Sequence, residues 1–304
     1  MADRPAARLS AAAAGHLAML GYATLVAGSF SLGGLAAAEI DPRVLTVLRF
    51  ALAAGAMAGL VLAGPGLRRA DLAAPWRWLL LGGLFGIYFV LMFAALRTAP
   101  PVSTAAIFTL TPLMTAGFAL VLLGQRLTGR MAVAMAVGAV GALWVVFRGD
   151  SGALLAMRIG RGEAIFLIGC AAHALFTPLV ARLNRGEPAL VTTALVMAGG
   201  GVLTLAVSPH AMAATPWSEL PPIVWIVAAY LGLVATAVSF LLLQFAALRL
   251  PSAKVMAYTY LLPSLVILWD LALGGALPPG LVLPGVALTA LALLLLLKEE
   301  GRLR

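Results

Sequence analysis

Polar and aromatic side chains recur at helical spacing inside the apolar segments of this 304-residue chain. Around Tyr88 and around His173, such side chains follow one another at intervals of three and four residues, which puts them on one face of a helix. Because polar groups that face lipid are costly, we expect these faces to turn toward protein or toward a cavity. The residues predicted to line one cavity are Tyr22, Ser29, Tyr88, Met92, Thr104, Phe108, Thr111, His173, Thr177, Thr236, Ser239 and Tyr258.

A lining of aromatic rings and methionine with few hydroxyls suits a small, partly apolar solute. His173 could accept a proton or bond a carboxylate there, or it could be a neutral histidine that bonds a backbone carbonyl. The serines and threonines could equally form close helix contacts and bond their own backbone. The sequence leaves both interpretations open.

Few charged residues lie within the apolar segments, and Arg49 is the most deeply placed cation. We expect it to hold its helix through Glu39, Asp41 or a loop carbonyl rather than to touch a solute. Lys254 and Asp270 lie toward opposite ends of one later segment, where they either reach the interface or belong to a functional site. No pair of buried acids indicates a proton relay, so proton coupling and facilitated diffusion both stay open.

The residues that could support catalysis or metal binding are sparse. Cys170 is the single cysteine, which excludes an internal disulfide and a cysteine-based metal cluster. The three histidines are scattered along the chain, and one aspartate lies inside an apolar segment, so these residues form no reactive cluster. We therefore predict no catalytic residue, no metal site, no cofactor and no enzyme activity. The net charge of +9 comes from arginines spread between apolar segments, which argues against a nucleic-acid partner.

Composition indicates a membrane protein, because 63% of residues are hydrophobic and only 10% are charged, against about 25% charged in soluble domains. A bilayer span takes about 20 apolar residues, so the chain is predicted to be all-α with ten transmembrane helices, or nine by a stricter count. The predicted helices cover 10–38, 44–63, a third ending at 95, 102–123, 131–147, 164–181, a seventh ending near 207, an eighth ending at 247, 254–273 and a tenth ending at 298.

The distribution of lysine and arginine predicts the orientation. With the N-terminus in the cytoplasm, fourteen of these residues fall on the cytoplasmic side and five on the outer side. This bias follows the positive-inside rule when both termini are cytoplasmic. Both termini share a side only if the number of spans is even, which favours ten over nine.

The pentapeptide FAALR occurs twice, at Phe93 to Arg97 and at Phe245 to Arg249. A short polar break and a new apolar run follow each copy, and these runs contain Pro112 and Pro263. We therefore predict two five-helix repeats, residues 1–150 and 151–304. Five is an odd number, so the second repeat would be inverted in the membrane, as in alternating-access transporters. Bends at the two prolines are predicted to let their helices act as gates.

Several longer stretches resemble the EamA-type branch of the drug/metabolite transporter superfamily, and the resemblance covers nearly the whole chain. One departure is Gln125, which stands where that family has an acid after its fourth helix. The stretches that carry the resemblance are Leu48-Arg49-Phe50, Gly83 to Arg97 followed by Ser103 to Pro112, Leu122-Leu123-Gly124 before Arg126-Leu127, and Gly232 to Arg249 followed by Ser252 to Pro263.

The resemblance implies a multi-pass protein of the cell inner membrane that exports small metabolites by alternating access. In layout the chain is most similar to the aromatic amino-acid exporter group, which implies amino acids, including aromatic and hydrophobic ones, as substrates. The implied partners are the small-molecule substrate and the lipid bilayer, with the protein a monomer or a weak homodimer. The alternatives are a drug exchanger, a nucleotide-sugar/phosphate-type exchanger and a non-transporting membrane sensor. The phosphate-type exchanger would need several mid-membrane lysines or arginines to neutralise phosphate.

Overall fold

The structure, a computed structural model, describes residues 10–126, 128–155, 159–250, 255 and 257–297, and every regular element in these ranges is helical. Nine of the described helices are long and apolar enough to cross a membrane, and one further apolar helix is shorter. The predicted start of that shorter helix, Lys254, lies outside the described residues. In chain order the helices are α1 Ala11–Ala37, α2 Pro42–Ala63, α3 Trp76–Leu96, α4 Pro101–Leu123, α5 Gly129–Val146, α6 Arg161–Leu183, α7 Ala189–Ala206, α8 Pro222–Ala247, α9 Tyr258–Ala272 and α10 Gly280–Leu297.

Short helices occupy three of the connections. A 3-10 turn, Arg69–Leu72, precedes α3, the helix Ser151–Leu155 lies between α5 and α6, and the helix Pro209–Ala214 follows α7. Side chains cap some of the long helices: the Asp41 carboxylate accepts the backbone N–H of Arg43 at 2.8 Å at the start of α2. This satisfies one of the backbone donors that a helix N-terminus leaves without an intrahelical partner.

Two of the helices are interrupted next to a proline. α4 consists of Pro101–Phe108 and Thr111–Leu123, and α9 begins with a 3-10 turn, Tyr258–Leu261, before the α-helical segment Leu262–Ala272. Pro112 and Pro263 each lie in the first turn of the second segment. Proline is tolerated in a first turn because the N–H it lacks has no intrahelical acceptor there.

α8 contains a π-helical segment, Tyr230–Val238, between two α-helical ones. The hydroxyl of Thr236 donates to the carbonyl of Leu231 at 2.7 Å, five residues earlier. π-helical segments are rare and frequently occur at functional sites. The apolar sequence of α8 gave no sign of this segment.

The helix packing has a two-fold pattern. α3 packs against α6 and α7, and α8 packs correspondingly against α1 and α2. α4 packs against α6 as α9 packs against α1, while α2 contacts α7 and α5 contacts α10. These contacts are preserved when each of the first five helices is exchanged with the helix five places later.

α5 and α10 cross closely because both carry glycine at the crossing. A Cβ atom built on Gly141 would lie 2.7 Å from the carbonyl oxygen of Gly285, and one built on Gly285 would lie 2.7 Å from that of Gly141. Any larger residue would force the helices apart, so glycine sets this interhelical distance.

Candidate functional site

A cavity of about 330 Å³ lies among α1, α2, α3, α4, α6, α7 and α8. Most of its wall is aromatic or aliphatic, with a few hydroxyls, one buried arginine and one glutamate. It reaches two exposed residues, Asn184 in the connection between α6 and α7 and Ala189 at the start of α7, so it opens at that end, called the mouth below. The lining residues are Tyr22, Val26, Ser29, Phe30, Arg49, Phe85, Tyr88, Phe89, Met92, Phe108, His173, Phe176, Val180, Asn184, Glu187, Ala189, Thr192, Thr193, Val196, Met197, Ala235, Thr236, Ser239, Phe240, Leu243 and Gln244.

Rings from α3, α4 and α6 form one continuous aromatic wall. Phe85 meets Phe176 edge to face with ring centroids 4.3 Å apart. The ring centroid of His173 lies 4.7 Å from the ring centroid of Tyr88 and 5.2 Å from that of Phe108. These rings pack edge to face or tilted against one another, so they form a continuous, largely apolar surface.

Arg49 reaches the cavity from α2 and is only 4% exposed. Its Nε donates to the hydroxyl of Thr236 at 3.1 Å, and its guanidinium carbon lies 3.7 Å from the centre of the Phe89 ring. Its Nη1 is buried and has no hydrogen-bond partner among the described residues. An arginine remains charged in proteins, so the cavity contains a cation whose hydrogen-bonding capacity is incompletely used.

The expectation that Arg49 is held by Glu39 or Asp41 is wrong. Asp41 pairs instead with Arg43, their oxygen and nitrogen lying 2.9 Å apart, and the hydrogen bond from Arg43 lowers the pKa of the Asp41 carboxyl. The sequence did contain a signal against this expectation, because the positions three and four residues on either side of Arg49 hold no acid. A mid-helix arginine without such a neighbour needs a partner from elsewhere in the fold.

α8 presents two hydroxyls to the cavity, Thr236 from its π-helical segment and Ser239 from the residue directly after that segment. Thr236 donates to a carbonyl of its own helix, so its oxygen is free to accept from Arg49. Ser239 donates to the carbonyl of Ala235 at 2.9 Å. Both hydroxyl donors are therefore used within the helix, and their oxygens provide acceptors at the wall.

Two further polar atoms at the cavity have no partner among the residues that the structure describes. They are the hydroxyl oxygen of Ser29 and the Nδ1 of His173. Buried polar atoms in folded proteins nearly always have a partner, so unpartnered ones at a cavity indicate contact with water or with a ligand.

An ion pair stands at the mouth. Arg77 lies on the first turn of α3, and Glu187 lies just before α7. Nη2 of Arg77 and Oε1 of Glu187 are 2.8 Å apart, and both side chains are at most 4% exposed. Arg77 also donates to the carbonyls of Leu183 and Ala73 at 2.7 and 3.0 Å. Burial favours the neutral acid, but the hydrogen bonds from Arg77 and from the backbone of Arg185 outweigh it and lower the pKa of Glu187. The pair ties α3 to the connection between α6 and α7.

Eight of the twelve predicted cavity residues line this cavity: Tyr22, Ser29, Tyr88, Met92, Phe108, His173, Thr236 and Ser239. The structure puts the other four elsewhere. Thr104 bonds the carbonyl of Pro100, Thr111 is buried at the break in α4, and Thr177 is exposed on α6. The hydroxyl of Tyr258 lies 2.9 Å from Nδ1 of His16, away from the cavity. Helical spacing alone did not reveal which face each helix turns inward.

A second cavity of about 240 Å³ lies at the far ends of α4, α5 and α9. Asp270, Arg148 and Ser103 are among its lining residues. Ser103 also donates to the buried carboxylate of Glu163 at 3.0 Å. Glu163 belongs to the first turn of α6, which begins at Arg161 rather than at the predicted residue 164.

Comparison with known proteins agrees with this architecture. The EamA-like transporter family matches twice, over residues 13–147 and 160–298, so the chain belongs to that family. It is therefore a multi-pass membrane protein of a transporter family rather than an enzyme. The motifs singled out in the sequence had indicated the same family.

Two individual relatives also carry transporter names. Uncharacterized transporter YyaM of Bacillus subtilis (strain 168) is 24% identical over 85% of this chain and 86% of its own length. Aromatic amino acid exporter YddG of Ancylobacter novellus is 38% identical over 40% of each chain. One crystal structure shares the fold, with a TM-score of 0.64 and 22% identity over 97% of this chain and 99% of the other.

Proposed function

We propose that this protein exports small, largely apolar metabolites by alternating access, and that amino acids, including aromatic and hydrophobic ones, are its substrates. The observation that carries the proposal is the aromatic cavity, which opens at one end and holds a buried cation. Such a site can enclose an apolar body and bind one charged group. The partial match to an aromatic amino acid exporter supports the same class of substrate.

The proposed topology is ten spans in two inverted repeats, residues 1–150 and 151–304, with both termini in the cytoplasm. The two-fold pattern of helix contacts supports it, as do the helix breaks at Pro112 and Pro263. In this orientation the connection between α6 and α7 faces the cytoplasm. The mouth would then admit solute from inside the cell, as export requires.

The proposed setting is the cell inner membrane, with the lipid bilayer and the small solute as partners and with the protein a monomer or a weak homodimer. Exposed leucine and valine side chains along the outer helix faces, such as Val121 at 82%, suit contact with lipid. Arg49 is the only Lys or Arg among the described lining residues, whereas a phosphate ester would call for several cations. A nucleotide-sugar exchanger is therefore disfavoured.

Purified protein in liposomes tests the proposal. Vesicles loaded with labelled phenylalanine, tryptophan, leucine and glutamate should release the aromatic and aliphatic amino acids faster than empty-membrane controls. Glutamate should stay inside, because the cavity offers its second carboxylate no second cation. No release across a broad panel of small solutes, with folded protein in the vesicles, would favour a membrane sensor instead.

A further inference from the structure

Arg49 combines three properties that are costly together in a folded protein. It is buried, it is charged, and no carboxylate pairs with it among the described residues. Its polar contacts are one hydrogen bond to a neutral hydroxyl and the face of one ring. A buried charge is normally paired, since leaving water is expensive. The fold thus retains a cation that its own described residues do not neutralise.

Part of the hydrogen-bonding capacity of this cation is unused and could serve an anion. Nε is used by Thr236, while Nη1 has no partner in the part of the chain that the structure describes. The remaining guanidinium donors form a planar fork that matches the two oxygens of a carboxylate. The hydroxyl of Ser29, also without a partner, lines the same cavity and could donate to the same anion.

The cavity offers no comparable partner for a cation. Glu187 is the only carboxylate among the described lining residues, and it stands at the mouth, where Arg77 already neutralises it. Aromatic faces attract an ammonium group, but less strongly than a carboxylate does. The charge of the cavity is therefore matched to one negative group on an apolar body.

We propose that Arg49 receives a carboxylate of the solute that occupies the cavity, and that an aromatic monocarboxylate needs no amino group to be recognised. This rests on the proposed function, which supplies the reason for a solute in the cavity. It goes further by naming the recognised group. Aromatic amino acids then bind through their carboxylate, and their deaminated analogues bind about equally well.

A matched series of four small molecules tests the proposal with the full-length purified protein. The probes are 3-phenylpropionate, phenylalanine, 3-phenylpropionamide and phenethylamine, which share the aromatic body and differ in charge. Binding is measured by calorimetry in lipid nanodiscs. We expect the first two to bind within about threefold of each other and the amide and amine at least about tenfold more weakly. Equal binding of the acid and its amide by the wild-type protein overturns the proposal without any substitution.

Substitution of the arginine adds a second, independent comparison. Arg49→Gln should abolish the difference between acid and amide, and Arg49→Lys should retain part of it. The control is Arg43→Gln, which removes a half-exposed arginine outside the cavity and should leave the difference unchanged. A difference between acid and amide that survives in folded Arg49→Gln contradicts the assignment.

Flux measurements with the same probes separate this proposal from the proposed function. Transport of phenylalanine, together with equal transport of 3-phenylpropionate and 3-phenylpropionamide, would support export and reject the role of Arg49. Selective binding of the acid without any flux would reject export and leave the carboxylate site standing.

Discussion

At the scale of single residues, the two buried arginines in the described part of the chain have different surroundings. Arg77 pairs with the carboxylate of Glu187 and also bonds two backbone carbonyls, and together these contacts stabilise the mouth. Arg49 has one neutral hydrogen-bond partner, no carboxylate partner among the described residues, and a place in the lining of the cavity. The first arginine is an element of the fold, and the second is available to a ligand.

Removing only one charged partner of the ion pair at the mouth should therefore destabilise the folded protein. Glu187→Gln leaves a buried guanidinium without its carboxylate, and we expect it to lower the free energy of unfolding by about 3 kcal/mol. The double variant Arg77→Met, Glu187→Leu should be more stable than this single variant, because it removes both charges together. Thermal unfolding of the purified variants measures both values. If Glu187→Gln is as stable as the wild type, the ion pair between Arg77 and Glu187 does not stabilise the fold.

The pH dependence of this stabilisation has a definite sign. The pKa of Glu187 is lowered in the folded protein, so its contribution is present above the pKa of an unfolded glutamate, about 4.3. The contribution is lost as the pH falls through the lower, folded value. The stability difference between wild type and Glu187→Gln should thus be constant near neutral pH and shrink only in acid. A difference that shrinks already between pH 8 and pH 6 would contradict the assignment.

At the scale of elements, two helices that line the cavity, α4 and α8, are interrupted, and so is α9, which contributes none of the described lining residues. α4 and α9 break next to Pro112 and Pro263, and α8 changes to π-helical geometry where it supplies Thr236. The sequence revealed the first two, because proline removes a backbone donor at a known position. It did not reveal the third, because Tyr230–Val238 contains no proline, and the contact of Thr236 with Arg49 joins residues 187 positions apart.

The proline breaks lead to a prediction about rate. If the helices move at these points, Pro263→Ala should allow a more continuous α9 and slow transport by about tenfold, equivalent to about 1.4 kcal/mol in the barrier. The yield of folded protein should change much less. Pro222→Ala is the matched control, since this proline lies exposed at the first residue of α8 and no helical segment directly precedes it. Unchanged transport per folded molecule in Pro263→Ala would refute the hinge.

At the scale of the whole molecule, composition and motifs were sufficient to predict a helical membrane protein of the EamA-like family, and the family match confirms this. A hydrophobic fraction of 63% leaves few other solutions for a chain of this length. The inward face of each helix was harder to predict, because apolar residues surround every span and leave little amphipathic signal. That is why Thr177 was expected at the cavity but is exposed, while Phe89 and Phe176 were missed.

The central claim is that one cavity opens alternately to the two sides of the membrane. Cys170 is the only cysteine, so Cys170→Ala provides a cysteine-free chain into which Ser239→Cys places a thiol at the cavity wall. Ser218→Cys, exposed in the connection before α8, is the control that should react from the outer side alone. A membrane-impermeant thiol reagent should reach Cys at 239 from the cytoplasmic side at rest, and from the outer side as well while solute is exported. Reaction from one side only, under every condition, would contradict alternating access.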